Sequence, residues 1–468
     1  MTLVARHWLR DRLSAFASRE AIVYRDHSTT YEQLAGRCEE WLRVLARAGL
    51  APGSVVAIRG EFSPGTCALF LAVLSRSGVV ATLPPGEDAS QYLDHAHVAA
   101  LFDFAAPDAW ALHRRTPAAP PPLLTRLRER GTPGLIVFSS GTTGHSKAAL
   151  FDLDTLVARY RSPRPARRTL VFLLLDHLGG IHTMLHTLAH GGTMVIPERR
   201  RPGAVARAIE RHRVEVLPTT PTFLRMLVIS DATSRYDLSS LRLITYGTEP
   251  MPMSTLAALG QSFPGVRLKQ TYGLTELGVL PTRSRGSDSP WIELGGIGCE
   301  ARVVDDVLWL RSETPMLGYL NAPSPFDEDG WYNTHDLVQV DGPYIRILGR
   351  ATELINVGGE KVYPSEVESL LLQMDNIRDA TVWGERNPVT GQVVAARVSL
   401  ARPEDPESLE RRIHRFCRGR LAAHKIPVVV EIVEHDHHGP RFKKVRPGPV
   451  DAPAARASET PAEPGTAR

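Results

Sequence analysis

Alternation between short apolar strands and helices is the feature that most limits how this chain can fold. SVVAIRG (54–60) has the composition of a strand, TCALFLAVLSRSG (66–78) that of a helix, and GVVATLPPG (78–86) that of the next strand. The rhythm returns from an apolar strand predicted at TLVFLLL (169–175). Because helical crossovers join parallel strands, this order predicts an α/β protein built from layered sheets and helices.

Changes in this pattern divide the 468 residues into three regions. From Trp291 onward, short β segments replace the alternation and indicate a distorted β subdomain within a large N-terminal domain, residues 1–348. A fresh pattern of helices and strands then begins, and we interpret residues 349–446 as a small α+β C-terminal domain. Residues 447–468 lack aromatic residues and are rich in Pro and Ala, which is typical of a disordered tail.

Charge and cysteine content argue against several functional classes. The formal net charge is only +4 and the basic residues are scattered, which favours a site for a small anionic ligand over nucleic-acid binding. The four cysteines are far apart, as expected for reduced thiols in the cytoplasm. No apolar run approaches the ~18 residues of a membrane helix, and the N-terminus lacks a signal-peptide core. We expect a cytoplasmic monomer or homodimer without a membrane or nucleic-acid partner.

The stretch FSSGTTGHSK (138–147) combines hydroxyl side chains, glycines and a lysine after a predicted buried strand. Glycines let the backbone approach a ligand, hydroxyls donate hydrogen bonds and the lysine adds positive charge, which together suit a polyphosphate. The spacing is not that of a Walker loop, and a Ser/Thr/Gly loop is otherwise often a linker. The candidate phosphate-binding residues are Ser139, Ser140, Gly141, Thr142, Thr143, Gly144 and Lys147.

Acidic residues follow predicted strands further along the chain. Glu276 lies beside Thr275 in QTYGLTEL (270–277), and such a pair can hold Mg²⁺ and a phosphate oxygen. Asp336 in GWYNTHDL (330–337) follows a tight turn, where an acid either caps the turn or binds ribose hydroxyls.

In this order and spacing, the segments resemble those of the adenylate-forming superfamily, which includes acyl-CoA synthetases, peptide-synthetase adenylation domains and firefly luciferase. The resemblance extends from about residue 7 to residue 446, and its motifs are most similar to those of acyl- and aryl-CoA ligases. SSGTTGHSK looks like the family's phosphate loop, YGTEP (246–250) like its adenine-contacting turn and TYGLTE like its Tyr-Gly-x-Thr-Glu motif. NTHDL looks like the Thr-Gly-Asp motif, GRATELINVGGEKVYPSEVE like the hinge and second-domain signature, and PRFKKVR like the catalytic-lysine motif.

The resemblance implies a mobile C-terminal domain and a two-step reaction that needs ATP, Mg²⁺ and, as the usual acceptor, coenzyme A. A carboxylate attacks the α-phosphate of ATP, giving an acyl-AMP and pyrophosphate, and a nucleophile then displaces AMP. The resemblance assigns Mg²⁺ to Glu276, the α-phosphate to Thr275, and the bridge between substrate carboxylate and α-phosphate to Lys444. It further implies ribose contacts for Asp336 and Arg350, nucleotide contacts for Gly247, Thr248, Glu249, Pro250, Tyr272 and Gly273, and an acceptor role for Gly358, Gly359 and Glu360.

The segment LLLDHLGGIHTMLHTLAHGG (173–192) should line the acyl pocket, because its His-x-Gly-Gly is similar to the His-x-x-Gly of acyl- and aryl-CoA ligases. A core histidine with satisfied hydrogen bonds is the alternative reading of His177, and the neighbouring Asp176 keeps an amino-bearing acid open. The substrate-pocket candidates are His177, Gly179, Gly180, Tyr246 and Gly278. His182, His186 and His190 share one helical face, for which we favour packing over metal ligation.

The chain departs from the family pattern in the phosphate loop, the Thr-Gly-Asp motif, the hinge and the lysine motif. Ser146 replaces a proline, His335 a glycine, and Thr352 the usual hinge acid or lysine. If the backbone at His335 needs a positive φ, the side chain carries a strain penalty. The lysine motif looks shortened, with Lys443 where glycine is expected. We assign the catalytic role to Lys444, with Lys443 as the alternative.

These motifs favour an ATP-dependent acid–CoA ligase for an aromatic or medium-chain acid. The alternative is an adenylating ligase that passes the acyl group to an amine, a carrier protein or another small nucleophile in natural-product biosynthesis. A non-catalytic nucleotide sensor is disfavoured because the acidic and basic residues of the ATP site are retained.

Overall fold

The computed structural model describes residues 8–84, 88–140, 146–296, 298–434, 438–439 and 442–446. Two compact units divide this chain: residues 8–348 with 442 and 443 form the large unit, and residues 349–439 with 444–446 form the small unit. The predicted tail at 447–468 lies outside the described residues.

The strands are numbered along the chain. Those of the large unit are β1 (Glu20–Tyr24), β2 (His27–Thr30), β3 (Val55–Arg59), β4 (Val79–Leu83), β5 (Ala100–Ala106), β6 (Ala109–Arg114), β7 (Gly134–Ser140), β8 (Ser146–Asp152), β9 (Arg168–Leu170), β10 (Thr193–Ile196), β11 (Val216–Thr219), β12 (Leu243–Tyr246), β13 (Arg267–Gln270), β14 (Tyr272–Leu274), β15 (Gly278–Leu280), β16 (Thr282–Ser284), β17 (Ile292–Leu294), β18 (Cys299–Val304), β19 (Val307–Ser312), β20 (Gly318–Tyr319), β21 (Tyr332–Asp341) and β22 (Tyr344–Arg350), whose last two residues enter the small unit. The small unit continues with β23 (Ile355–Val357), β24 (Glu360–Val362), β25 (Ile377–Asn387), β26 (Gly391–Leu400) and β27 (Val429–Ile432).

The helices are also numbered along the chain. They are α1 (Trp8–Ala15), α2 (Tyr31–Arg47), α3 (Pro64–Leu74), α4 (Ser90–His95), α5 (Pro122–Glu129), α6 (Leu153–Val157), α7 (Leu178–Ala189), α8 (Pro202–His212), α9 (Pro221–Ile229), α10 (Ala232–Arg235), α11 (Met253–Ser262), α12 (Pro364–Leu371) and α13 (Pro406–Cys417). None of the helices in the described part of the chain combines the length and hydrophobicity that a bilayer crossing requires.

Two mostly parallel sheets form the framework of the large unit and confirm the predicted α/β class. The first sheet has the order β13-β12-β11-β9-β10-β1-β2 and is antiparallel only at β2. The second has the order β20-β8-β7-β4-β3-β5-β6, with β7, β4, β3 and β5 parallel. Central strands such as VVAIR and VVATL are almost wholly buried, because helices cover both faces of a parallel sheet.

A helical layer between the two sheets holds the main core. Helix α3 is apolar on all sides and buried over residues 65–74, as expected for a helix enclosed from every direction. Helices α2 and α7 lie in the same layer. The outer face of the first sheet is covered by α8, α9 and α11, and that of the second by α4 and α5.

Local signals set where the inner helices begin. Thr30 and Gln33 form a reciprocal capping box at the start of α2, with side-chain to backbone distances of 3.2 and 2.8 Å. Ser63 and Thr66 do the same for α3, which has Pro64 at its first position.

The strand predicted at 169–175 is shorter than its hydrophobicity suggests. Strand β9 ends at Leu170, and the apolar residues Phe172, Leu173 and Leu174 leave the sheet to line a cleft. A run of apolar residues predicts burial but not whether the burial is in a sheet or against a cavity.

The predicted distorted β region is a third, antiparallel sheet of order β16-β17-β22-β21-β19-β18, accompanied by the hairpin β14–β15. Its core includes Leu277, Leu308, Leu310 and Val338. The small unit has a sheet of order β24-β23-β26-β25, with β27 parallel to β26 and a core shared with α12 and α13.

A buried ionic cluster lies inside the small unit. The side chain of Glu368 on α12 is 5% exposed and accepts hydrogen bonds from the Val382 amide at 3.0 Å and from Arg446 at 2.9 Å. Lys444 Nζ lies 3.3 Å from Glu368 and 3.6 Å from Asp379, and donates to the Ala380 carbonyl at 2.5 Å. The cluster therefore holds the end of the lysine motif against α12 and β25.

Replacing Glu368 by Ala should destabilise the small unit by about 1–3 kcal/mol, because Lys444 and Arg446 lose their shared partner and keep only Asp379 and Glu353. Native-state hydrogen exchange of the β25 and β26 amides measures this opening in the full chain. Glu410→Ala, at an exposed position of α13, is the control and should change stability by no more than about 0.5 kcal/mol. Equal protection in both variants would contradict the role given to the cluster.

Candidate active site

Several predicted site residues follow the carboxyl ends of neighbouring parallel strands. Strand β12 ends at Tyr246, and β13 is followed directly by the hairpin β14–β15, whose turn carries Thr275 and Glu276. Thr271 joins the two strand ends, since its amide and hydroxyl donate to the Tyr246 carbonyl at 2.7 and 3.1 Å. In parallel α/β sheets this edge is the usual place for a ligand site.

The predicted adenine turn, residues 247–250, depends on a close backbone approach. A Cβ atom on Gly247 would lie 2.6 Å from the Thr271 carbonyl oxygen, so only glycine fits. Thr248 has a φ of 77°. The Glu249 carboxylate accepts the amide of Thr222 at 2.8 Å in the first turn of α9, where a negative charge is favourable. Glu249 therefore has a structural partner, and its predicted nucleotide contact stays a prediction.

Glu276 is a buried carboxylate in the β14–β15 turn, with 7% of its surface exposed. The Tyr319 hydroxyl donates to its Oε1 atom at 2.5 Å, and the Met316 amide donates to its backbone carbonyl at 2.9 Å. Burial and the neighbouring carboxylate of Glu276 raise the pKa of Tyr319 above its usual range, so the phenol remains a donor. In the hairpin, Gly273 lies opposite Val279, and Gly278 opposite Leu274.

Tyr319 also connects Glu276 to the predicted phosphate loop. Strand β20 pairs with β8, where Lys147 Nζ lies 5.2 Å from the centre of the Tyr319 ring. Asn321 holds the same strand through the Ala148 amide at 2.8 Å and the Ser146 carbonyl at 2.9 Å.

The central part of the predicted phosphate loop, Gly141, Thr142, Thr143 and Gly144, lies outside the described residues. On either side of it, Ser139 in β7 pairs with Lys147 in β8, and Ser140 pairs with Ser146. The two strands thus bring both ends of the loop together, close to Tyr319.

Asp336 lies on β21 and is 6% exposed. The Tyr272 hydroxyl donates to its Oδ2 atom, and its amide donates to the Thr334 hydroxyl at 3.0 Å. Asp336 and the Tyr-Gly-x-Thr-Glu motif, predicted separately, are therefore in direct contact. The adjacent His335 is exposed and has a φ of 56°, the left-handed conformation considered for this position.

His177 lies at the N-cap of α7, where its Nδ1 atom accepts the Gly179 amide at 3.4 Å. A Cβ atom on Gly180 would lie 2.0 Å from the Leu174 carbonyl oxygen, so the second glycine is required by packing. The His-x-Gly-Gly pattern thus has a structural cause in the tight start of α7, while His177 itself reaches the cleft described below.

The three histidines of α7 form a packed row. The Tyr160 hydroxyl lies 2.5 Å from His182 Nδ1, and the rings of His186 and His190 follow at centroid distances of 5.9 and 4.6 Å. Burial, then neighbouring positive charge, lowers the pKa of His182 to about 3 and that of His186 to about 4. Within the described ranges, no cluster of His, Cys, Asp and Glu suits a metal ion. The sequence EHDHHG (434–439) also offers several His, Asp and Glu side chains, but residues 435–437 lie outside those ranges.

One cleft of the large unit unites residues that are distant in sequence. It is lined by Phe172, Leu173, Leu174, His177, Arg200, Thr220, Thr248, Phe442 and Lys443. The cleft brings the predicted acyl-pocket histidine, the adenine turn and the lysine motif together.

The two lysines of the motif have different environments. Lys443 lines this cleft, whereas the Lys444 amine is held in the small unit by Glu368, Asp379 and Ala380. Phe442, directly before the two lysines, has a φ of 52° and so lies in the left-handed region that favours glycine. This placement does not support the assignment of the catalytic role to Lys444.

The predicted acceptor residues belong to the small unit. Gly358 and Gly359, with φ values of 60° and 95°, form the turn between β23 and β24, and Glu360 is exposed. Arg350 is exposed at the end of β22.

Sequence reasoning missed Tyr319, Asn321 and Phe442. The first two lie in MLGYLN, which carries no local signal of function, and their contacts arise only because β20 pairs with β8. For Phe442, the sequence signal is its position directly before the lysine pair. Its importance becomes apparent only from its backbone angle.

Comparisons with known proteins cover nearly the whole chain. A family profile described as AMP-binding enzyme matches residues 9–320, and one described as AMP-binding enzyme C-terminal domain matches residues 366–439. The indoleacetate–CoA ligase of Aromatoleum aromaticum is 28% identical, with 91% of this chain and 94% of that protein covered. The crystal structure of an anthranilate–CoA ligase with anthranoyl-AMP has a TM-score of 0.79 at 21% identity, with coverage of 93% and 95%. A mutant of the amide bond synthetase of Marinactinospora thermotolerans has a TM-score of 0.73 at 24% identity, with coverage of 92% and 96%.

The left-handed backbone at His335 predicts that a Val substitution lowers stability more than an Asn substitution does. His335→Val should lower the free energy of unfolding by about 1–2 kcal/mol, because a β-branched residue is poorly tolerated at this φ. His335→Asn, which tolerates the conformation, is the matched control and should stay within about 0.5 kcal/mol of the parent. Urea unfolding monitored by hydrogen exchange at β21 measures both, and a stable Val variant would show that the strain is absent.

Proposed function

This chain belongs to the AMP-binding enzyme family, and we propose that it is an AMP-forming acid–CoA ligase. It uses ATP to convert a carboxylic acid into an acyl-AMP and then passes the acyl group to coenzyme A. The observation that supports this most is the cleft in which Lys443 meets His177 and Thr248 beside the strand ends of the first sheet. The similarity along almost its full length to an indoleacetate–CoA ligase points to the same reaction.

The acid is an aromatic or medium-chain carboxylic acid. Phe172, Leu173 and Leu174 provide an apolar wall, and His177 provides a polar ring at the start of α7. An apolar wall beside a few polar groups is typical of a site for a small organic acid.

Lys443 is the lysine that acts in the first half-reaction. As the substrate carboxylate attacks the α-phosphorus, two negatively charged groups approach, and charge builds on the phosphate oxygens. A fixed ammonium group reduces this repulsion and stabilises the transition state. The Lys444 amine, bound to two carboxylates and a carbonyl, serves the stability of the small unit instead.

Glu276 and Thr275 suit a Mg²⁺ ion that accompanies ATP. In the described part of the chain, the contact to the Glu276 carboxylate is the Tyr319 hydroxyl rather than a basic residue, which leaves its negative charge available to a cation. Oxygen ligands of this kind are those that Mg²⁺ prefers, and the ion would neutralise phosphate charge. Asp336, held by Tyr272, accepts hydrogen bonds from the ribose hydroxyls.

The phosphates of ATP lie between the ends of β7 and β8. Ser139 and Lys147 flank the loop there, and Lys147 supplies positive charge beside Tyr319. The Gly358–Gly359 turn and Glu360 of the small unit serve the acceptor in the second half-reaction. An amine or a carrier protein as acceptor is the alternative, motivated by Thr352 in the hinge.

A screen of ATP–pyrophosphate exchange across aromatic and medium-chain acids tests the proposed activity. One group of acids should stimulate exchange, and AMP release should then depend on coenzyme A. Mass spectrometry of products formed with coenzyme A, or with amines in its place, separates the two acceptors. If no acid in the panel supports exchange, the proposed activity is wrong.

Lys443→Ala should lower the rate of ATP–pyrophosphate exchange by about 10²–10³-fold, as expected when one charge-stabilising donor is lost. Lys444→Ala is the matched control: it should reduce the stability of the small unit, while the folded fraction keeps exchange within about tenfold of the parent. Exchange kinetics at equal folded concentration measure both effects. The reverse pattern would restore Lys444 as the catalytic residue.

Tyr319→Phe should raise the Mg²⁺ concentration for half-maximal exchange by about tenfold, because the carboxylate of Glu276 loses the hydroxyl that orients it. Mn²⁺ binding to the complex of protein and ATP, titrated by electron paramagnetic resonance, should weaken by about the same factor. This measurement does not require turnover. Tyr344→Phe, on the third sheet, is the control and should bind metal like the parent. Unchanged metal affinity in the Tyr319 variant would exclude an orienting role.

A further inference from the structure

Phe442 has a backbone conformation that an aromatic residue rarely adopts. Its φ of 52° lies in the left-handed region, which is costly for a residue with a side chain. Such strain persists where the surrounding structure over-determines it, and it is often found at functional sites. The contacts of Phe442 should therefore explain why a glycine does not occupy this position.

The ring of Phe442 completes an aromatic cluster in the large unit. Its centroid lies 5.1 Å from that of Phe172 and 5.6 Å from that of Phe223, with interplanar angles of 50° and 85°. Phe172 and Phe223 are themselves 4.2 Å apart and almost fully buried. Aromatic pairs in such tilted and edge-to-face arrangements are stabilising beyond the area they bury, which offsets the backbone strain.

The backbone of Phe442 is held as well. Its carbonyl accepts a hydrogen bond from the Thr220 hydroxyl at 2.9 Å. The same hydroxyl oxygen accepts the Phe223 amide at 3.2 Å and so caps α9. One threonine therefore couples the start of α9 to the residue that precedes Lys443.

Both the anchored residue and the lysine that follows it line the cleft that also contains His177 and Thr248. A lysine side chain has many rotamers, so its charge is useful only when its backbone is held in place. The ring contacts and the carbonyl hydrogen bond fix that backbone one residue before the ammonium-bearing side chain.

We propose that Phe442 is a positioning residue, an aromatic anchor that holds Lys443 in the cleft while the acyl-AMP forms. This inference rests on the proposed function. In that step a carboxylate oxygen forms a bond to the α-phosphorus, and the bond from that phosphorus to the pyrophosphate oxygen breaks, without a change in oxidation state. Transfer of the acyl group from finished acyl-AMP needs no charge at this point, so the anchor acts on the first half-reaction alone.

Phe442→Gly removes the anchor and keeps the backbone angle unstrained, whereas Phe442→Leu keeps apolar bulk without the aromatic geometry. Phe442→Gly should lower the maximal rate of ATP–pyrophosphate exchange by about tenfold, and Phe442→Leu by less. The KM values for ATP and acid should change by no more than about twofold, and acyl transfer from synthetic acyl-AMP should match the parent. Phe416→Leu, half-buried on α13 of the small unit, is the control and should behave like the parent.

A second measurement does not depend on turnover. Acetic anhydride labelling followed by mass spectrometry should modify Lys443 several times faster in Phe442→Gly than in the parent, relative to the exposed Lys361. Equal labelling of Lys443 and equal exchange rates in Phe442→Gly and the parent would overturn the proposal that Phe442 positions Lys443. A changed KM for the acid with an unchanged maximal rate would instead make Phe442 a wall of the acyl pocket, which also contradicts the proposal. If Lys443→Ala leaves exchange intact, the proposed catalytic role of Lys443 is wrong. This result differs from one in which only the anchoring role of Phe442 is wrong.

Discussion

Burial of one apolar helical layer between two sheets, each with parallel strands at its centre, is the constraint on which the rest of the large unit depends. Helix α3 is buried on all sides and α2 and α7 pack in the same layer, so these helices cannot shift without opening the main core. Helix α7 begins at His177, and β12 and β13 end at the same edge of the first sheet. The packing of the core therefore sets where the cleft forms and which backbone atoms approach each other there.

The polar side chains near this edge of the first sheet form hydrogen bonds with one another. Tyr319 binds Glu276 and lies beneath Lys147, and Tyr272 binds Asp336. Buried carboxylates are costly unless they are hydrogen-bonded, so each tyrosine makes it possible to keep a negative charge in a nearly dry position. The proposed reaction assigns these charges to Mg²⁺ and to the ribose hydroxyls of ATP.

The lysine motif shows how neighbouring residues can serve different purposes. Lys444 and Arg446 converge on the buried carboxylate of Glu368, which secures the small unit. One residue earlier, the chain turns through the left-handed angle of Phe442 and Lys443 lines the cleft. The two neighbouring lysine side chains therefore have different environments.

Much of the fold was predictable, because periodic hydrophobicity, capping residues and the order of motifs are local properties of the sequence. They determined the α/β class, the family, and the segments that carry Glu276, Asp336 and His177. The tertiary structure alone decided that β9 ends at Leu170, that Tyr319 meets Glu276 forty-three residues away, and which lysine enters the cleft. Those features depend on strand pairing and on one backbone angle. Local composition specifies neither, because both arise from contacts between residues far apart in sequence.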